Sequence, residues 1–127
     1  MTGAIDAYLT EAQHQEQVII WCDHEAPTHL RRKTRQILHI PNGGHRNKAV
    51  AAQLKAQGTR KGIPDLFVPI PAGHEHGLWI ELKKIGGRPS AEQLAHLAEL
   101  RANGYRAVIA VGWREAVVII TEYLEQP

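Results

Sequence analysis

Two stretches of this sequence place acid and base where they could do chemistry: Gly62-Ile63-Pro64-Asp65-Leu66-Phe67-Val68 and Leu78-Trp79-Ile80-Glu81-Leu82-Lys83. Both read as strands. Side chains alternate between the two faces of a strand. Glu81 and Lys83 therefore share one face, while Ile80 and Leu82 take the other, towards a core. If the two strands pair antiparallel, Asp65 at the mouth of the first can lie beside Glu81. Carboxylates in contact repel each other, and a divalent cation relieves the repulsion. Hard cations such as Mg²⁺ take oxygen ligands, and the backbone carbonyl of Leu82 offers one more. A cation held this way can activate water against a phosphodiester, with Lys83 offsetting negative charge in the transition state. The plainer reading is that Asp65 caps a strand and that Glu81 and Lys83 are a surface pair.

The elements that must position these residues follow from pattern. Helical spacing of Ile5, Tyr8, Leu9, Ala12, Gln15, Ile19 and Ile20 predicts a helix over Ala4 to Trp21. Asp23 to Leu30 reads as loop, Ile37 to Ile40 as a short strand, and Pro41-Asn42-Gly43-Gly44 as a turn. Lys48 to Gln57 is helix-like, with Gly58 as its C-terminal stop. The apolar run Leu66 to Ile70 and Leu78 to Lys83 form a hairpin across Pro71 to Gly77. Ser90, with Gln93 three residues on, opens a capping box and a helix to about Asn103 with Leu94, Leu97 and Leu100 on its apolar face. Ala107 to Val111 is a buried strand, and Arg114 to Leu124 a final helix whose Val117-Val118-Ile119-Ile120 run would also suit a strand. The order predicts an α/β layer arrangement.

Asp65 with Glu81-Leu82-Lys83 resembles the PD-(D/E)xK nuclease signature, with Pro64 as its proline. The wider pattern is similar to the VRR-NUC family. It comprises Glu11 with Gln15 one turn later, Asn42-Gly43-Gly44, Gly62-Ile63-Pro64-Asp65, Glu81-Leu82-Lys83 and Ser90-Ala91-Glu92-Gln93, in that order over about Glu11 to Leu124. The resemblance implies an α/β fold with a restriction-endonuclease-like core, a mixed β-sheet flanked by α-helices, and residues 1–127 as a single nuclease domain. It implies Asp65, Glu81, Lys83 and Gln93 as catalytic residues, with Asp65, Glu81, the Leu82 carbonyl and Glu11 around Mg²⁺ or Mn²⁺. Glu11 would lie near the metal, often through water; Glu16 is the alternative on the same helix. Gln93 either only completes its capping box or also reaches the active site or the scissile phosphate.

The resemblance further implies a standalone bacterial or phage member: a homodimeric, structure-specific endonuclease acting on Holliday (four-way) or otherwise branched DNA. A restriction-like or flap/nicking nuclease is the alternative within the same chemistry, and a catalytically weak DNA-binding module the alternative outside it. One metal centre cuts one strand, so symmetric resolution of a junction needs two centres about a two-fold axis.

For DNA contacts, the backbone N–H groups of Asn42 and Gly43 could approach a phosphate. Arg46 could pair with another, and Arg60 and Lys61, just before Asp65, are placed for the substrate backbone. The eight histidines lack zinc-site spacing and read as scattered over the surface. His39, Asn42 and His45 echo an HNH motif without its ββα context, and no GxxxxGK[ST] loop is present. Cys22 reads as packing. At 127 residues, 43% hydrophobic and 22% charged, the chain is long enough for one core and too apolar for disorder. One cysteine excludes a disulfide framework. No apolar run approaches about 20 residues, and the N-terminus lacks a secretory pattern, so a cytoplasmic location is expected.

Overall fold

The computed structural model describes residues 4–41 and 47–127. Its core is a four-stranded mixed sheet in the order β1 (Leu38–His39), β2 (Leu66–Val68), β3 (Leu78–Lys83), β4 (Arg106–Val111). The first three strands run antiparallel in sequence, with Leu66 opposite Ile80 and Phe67 opposite Trp79. β4 lies parallel to β3 after a crossover through α4 (Ala91–Ala102). The sheet expected from the sequence is therefore present. β2 stops at Val68 because Pro69 has no N–H to continue the ladder, and the Ile70 carbonyl instead accepts the Tyr123 hydroxyl at 2.7 Å.

Leu66, Val68, Leu78, Ile80 and Leu82 fill one face of the sheet. They pack with Val18 and Cys22 of the N-terminal helical segment and with Ala116, Ile120, Tyr123 and Leu124 of α5 (Trp113–Leu124). Placing Val117 to Ile120 in a helix resolves the ambiguity at that run: Ala116, Ile120 and Leu124 recur every four residues and are buried, whereas Val118 is exposed. On the other face, Phe67 and Trp79 stack across the strands with ring centroids 4.2 Å apart, and Tyr105 meets them edge-on. Within α4, Leu97 is buried but Leu94 is exposed, so the apolar face is narrower than predicted.

The N-terminal region departs most from expectation. A continuous helix over Ala4 to Trp21 is replaced by a 3-10 helix (Ala4–Tyr8), α1 (Glu11–Ile20) and a π turn (Trp21–Glu25). The cause is Thr10. Its hydroxyl accepts the Gln13 N–H at 3.1 Å while the Gln13 side-chain carbonyl accepts the Thr10 N–H at 2.9 Å, a capping box that restarts the helix. Ile5 and Tyr8, assigned to the apolar face, are exposed. The predicted loop Asp23 to Leu30 is instead the π turn followed by α2 (Thr28–Thr34). Pro27 enters this helix at a position that needs no N–H donor, and Leu30 and Thr34 are buried. Thr34 donates to the Cys22 carbonyl at 2.6 Å, and Arg31 donates twice to that of Ala26. α3 (Lys48–Ala56) forms as predicted, capped by Asn47 accepting the Val50 N–H at 2.8 Å. No described helix is long and apolar enough to cross a membrane.

Candidate metal centre

The hairpin β2–β3 brings Asp65 to the side of β3. Its carboxylate accepts the Leu82 backbone N–H at 2.9 Å. Its own carbonyl is fixed from β1 by the Ile40 N–H at 2.7 Å and by His39 Nδ1 at 3.1 Å, which must be the protonated nitrogen because it faces an acceptor. In an extended strand a residue's N–H and C=O point to the same side. The Leu82 carbonyl therefore turns to the edge where Asp65 sits, while the Lys83 carbonyl turns to β4 and accepts the Gly112 N–H.

Glu81 and Lys83 are not a surface pair: their side chains are 1% and 11% exposed, and Lys83 Nζ lies 3.4 Å from Glu81 Oε2. Gln93 Nε2 donates to the same oxygen at 3.2 Å. The Gln93 side-chain carbonyl meanwhile accepts the Ser90 N–H at 2.8 Å, and the Ser90 hydroxyl accepts the Gln93 N–H. The two readings of Gln93 are thus compatible: one half of its amide caps α4, and the other half holds Glu81. α1 adds Glu11, whose carboxylate is 3.9 Å from Lys83 Nζ and 45% exposed. Glu11, Asp65 and Glu81 each bring a carboxylate oxygen within 4.8 Å of the others. Glu16, the alternative on α1, is not part of this group.

Electrostatics shows what this crowding costs. Burial, and then the Asp65 carboxylate, push Glu81 up to about 8, against the pull of Lys83. Burial also raises Glu11, partly offset by Lys83. Glu81 Oε1 is buried and has no hydrogen-bond partner among the described residues. A buried carboxylate with one unpartnered oxygen, grouped with two further carboxylates, is a donor set that fits a hard divalent cation. The group opens on a cleft of about 550 Å³ lined by Glu11, Ala12, Gln15, His39, Pro41, Lys61, Gly62, Asp65 and Glu92. Gly62 is required there: its φ is +79°, and an added Cβ would sit 2.9 Å from the backbone of Glu92.

Of the residues expected to contact DNA, Lys61 lines the cleft and Arg60 is exposed beside it. Asn42, Gly43 and Arg46 lie outside the described residues. One histidine corrects the expectation of a scattered surface set: His14 is fully buried, whereas His39, which bonds the Asp65 carbonyl, is exposed as expected. His14 Nδ1 accepts the Trp113 N–H at 3.1 Å while its Nε2 faces the Asp6 carbonyl at 3.1 Å. The Asp6 carboxylate in turn pairs with Arg114 at 2.7 Å, and this hydrogen bond is the main cause that holds it below the usual carboxylate range. His14 follows Glu11 by three residues, so this clasp fixes the helix that carries the third carboxylate. Sequence reasoning missed it because its partners are separated by about a hundred residues; the only local sign was a histidine one turn from Glu11.

A family model described as the VRR-NUC domain matches residues 5–113. A solved structure titled "VRR_NUC domain protein" is similar, with a TM-score of 0.78 at 32% sequence identity, covering 92% of this chain and 89% of that one. No curated protein matches. With the mixed sheet, the carboxylate group and the family match in agreement, the chain belongs to the VRR-NUC family and has its nuclease fold.

Proposed function

We propose that the chain acts as one nuclease domain, a Mg²⁺- or Mn²⁺-dependent endonuclease that hydrolyses phosphodiester bonds in branched DNA, four-way junctions above all, as a homodimer. The observation that carries the reading is the convergence of Glu11, Asp65 and Glu81 beside Lys83 at an open cleft. Asp65, Glu81 and the Leu82 carbonyl, with Glu11 from α1, would hold the cation. A cation held there would supply neutralising charge at the phosphate and lower the pKa of a bound water. Lys83, whose Nζ lies 3.4 Å from Glu81 and 3.9 Å from Glu11, would offset charge building on the phosphate. Gln93 holds Glu81 in one orientation. Lys61 in the cleft wall and exposed Arg60 beside it grip the DNA backbone, and Asn42, Gly43 and Arg46 join that footprint on their sequence alone. Two copies about a two-fold axis give the paired cuts that a four-way junction requires.

The test is a cleavage panel of four-way, flap, duplex and single-stranded substrates with Mg²⁺, Mn²⁺ or EDTA, together with a measurement of the protein's mass in solution. The four-way junction should be cut fastest, by a dimer, only with a cation, and not at all by Glu81→Ala. Turnover in EDTA, or unchanged cleavage by Glu81→Ala, overturns the centre. Faster cutting of flaps or plain duplex overturns the substrate assignment alone.

A further inference from the structure

The nuclease reading leaves α3 without a role. None of its residues is buried, and it packs substantially against no other element among the described residues. A nine-residue helix is too short to persist in water by propensity alone, so its caps and its surroundings must hold it. Residues 26–64 carry nine of the chain's 15 Lys and Arg and none of its 13 Asp and Glu, and α3 lies in the middle of this acid-free stretch.

Within α3 the charge is arranged. At about 100° per residue, Lys48 and Lys55 fall within roughly 20° of each other, one above the other on the outer face. Between them lie only Ala51 and Ala52, side chains too small to keep the helix backbone away from a partner. Val50 and Leu54 lie on the opposite side, and Leu54 is the residue of the helix that is half-covered. Lys48 also stands in the first turn, where no acid accompanies it. A cation there opposes the helix dipole, so helix stability does not account for it. Past Gly58 the chain runs through exposed Arg60 and Lys61 into the cleft at Asp65.

We propose that α3 is a DNA-docking helix whose Lys48–Lys55 stripe takes backbone phosphates of the duplex arm leaving the cleft past Lys61. This rests on the nuclease reading and names the element that carries the flanking arm. The partner is a nucleic-acid backbone because the outer face offers positive charge and small side chains, without apolar bulk that would fit a second copy.

The experiment measures binding of a labelled four-way junction in EDTA across a salt series, for wild type, Lys48→Gln/Lys55→Gln and Lys48→Glu. Each neutralised phosphate contact contributes about 0.9 to the slope of log Kd against log salt. The double variant should lower that slope by about 1 to 2 and bind between about 10- and 60-fold more weakly at 0.1 M salt. Its single-turnover cleavage rate at saturating DNA should be unchanged. Lys48→Glu should melt no lower than wild type, since its charge now suits the helix N-terminus, yet bind more weakly. An unaltered slope with wild-type affinity overturns the docking helix, as does loss of the dimer in the double variant, which would make α3 a contact between copies. Wild type that binds and cuts while the double variant behaves identically sinks this inference alone. Wild type that neither binds nor cuts sinks the nuclease reading beneath it.

Discussion

Glu81→Gln should give a protein that cuts no DNA and yet, without divalent cations, withstands alkaline pH better than wild type. The carboxyl of Glu81 rises from its ordinary 4.5 to about 8 because it is buried against Asp65. The folded state therefore holds this proton more tightly than the unfolded chain. Its contribution to stability is complete below the unfolded value and is lost as pH rises through the folded one. At 1.36 kcal/mol per unit the full shift sets a ceiling of about 5 kcal/mol, and the part falling between pH 6 and pH 9 is about 3 kcal/mol. The proton belongs to the Glu81–Asp65 pair, so the slope is that of the pair. Glutamine has nearly the same volume, can still accept from Gln93 and does not ionise. Its stability should be nearly flat from pH 6 to pH 9. Urea unfolding in EDTA at three pH values across that range measures both proteins. Mn²⁺ should restore wild type at pH 9, and calorimetry in two buffers should find close to one proton released per cation bound at pH 7. Parallel stability curves for the two proteins, or wild type gaining stability as pH rises, would refute the crowding on which the centre depends.

Three further outcomes are expected. Lys83→Ala should lower single-turnover cleavage by about 10²- to 10⁴-fold while leaving junction affinity near wild type; cleavage within a few-fold of wild type would remove Lys83 from the chemistry. His14→Ala deletes two hydrogen bonds at a fully buried site and should destabilise the fold by about 2 to 4 kcal/mol, with a weakened cation dependence because α1 is loosened, as read by denaturant titration and a Mn²⁺ activation curve. Cys22, buried and with its thiol pushed up to about 12, should resist iodoacetamide in the native protein and react only on unfolding; stoichiometric labelling of native protein by mass spectrometry would contradict that burial.

The site was legible in the sequence where chemistry and strand alternation coincide. Glu81 and Lys83 are two apart, so any strand puts them on one face, and a hairpin was the natural way to bring Asp65 alongside. The fold around them was legible where punctuation is strong, at Ser90 with Gln93 and at Pro64, but the strand read through Pro69 to Ile70 ends instead at Val68. The N-terminal third was not legible. Thr10 and Gln13 form the same kind of capping box as Ser90 and Gln93, but a run of apolar residues on both sides of Thr10 imitates one continuous helix. α2 was hidden because Arg31, Arg32 and Lys33, with Arg35 just past its end, look like a solvated basic face, whereas only Leu30 and Thr34 of the helix are buried. Arg31 and Arg35 spend their donors on the carbonyls of Ala26 and Asp23, pairings set by tertiary packing rather than by local pattern.

The three carboxylates are held with unequal rigidity, and the inequality has a consequence. Asp65 is fixed through both its backbone carbonyl and its carboxylate. Glu81 is enclosed on the sheet by Gln93 and Lys83. Glu11 alone extends from a helix into the open cleft, and its one ion-pair partner among the described residues is Lys83 at 3.9 Å, the longest of these contacts. α1 itself does not drift, because His14 and Asp6 tie its N-terminal approach to the start of α5. Of the three carboxylates, Glu11 is thus the most exposed and the least tied, on a helix held by the His14 contacts. Such an arrangement would suit a cation site in which Asp65 and Glu81 are pre-positioned and Glu11 adjusts to them. On this account Glu11→Gln lowers cation affinity and raises KM before it alters the fold, whereas Asp65→Asn disturbs both at once.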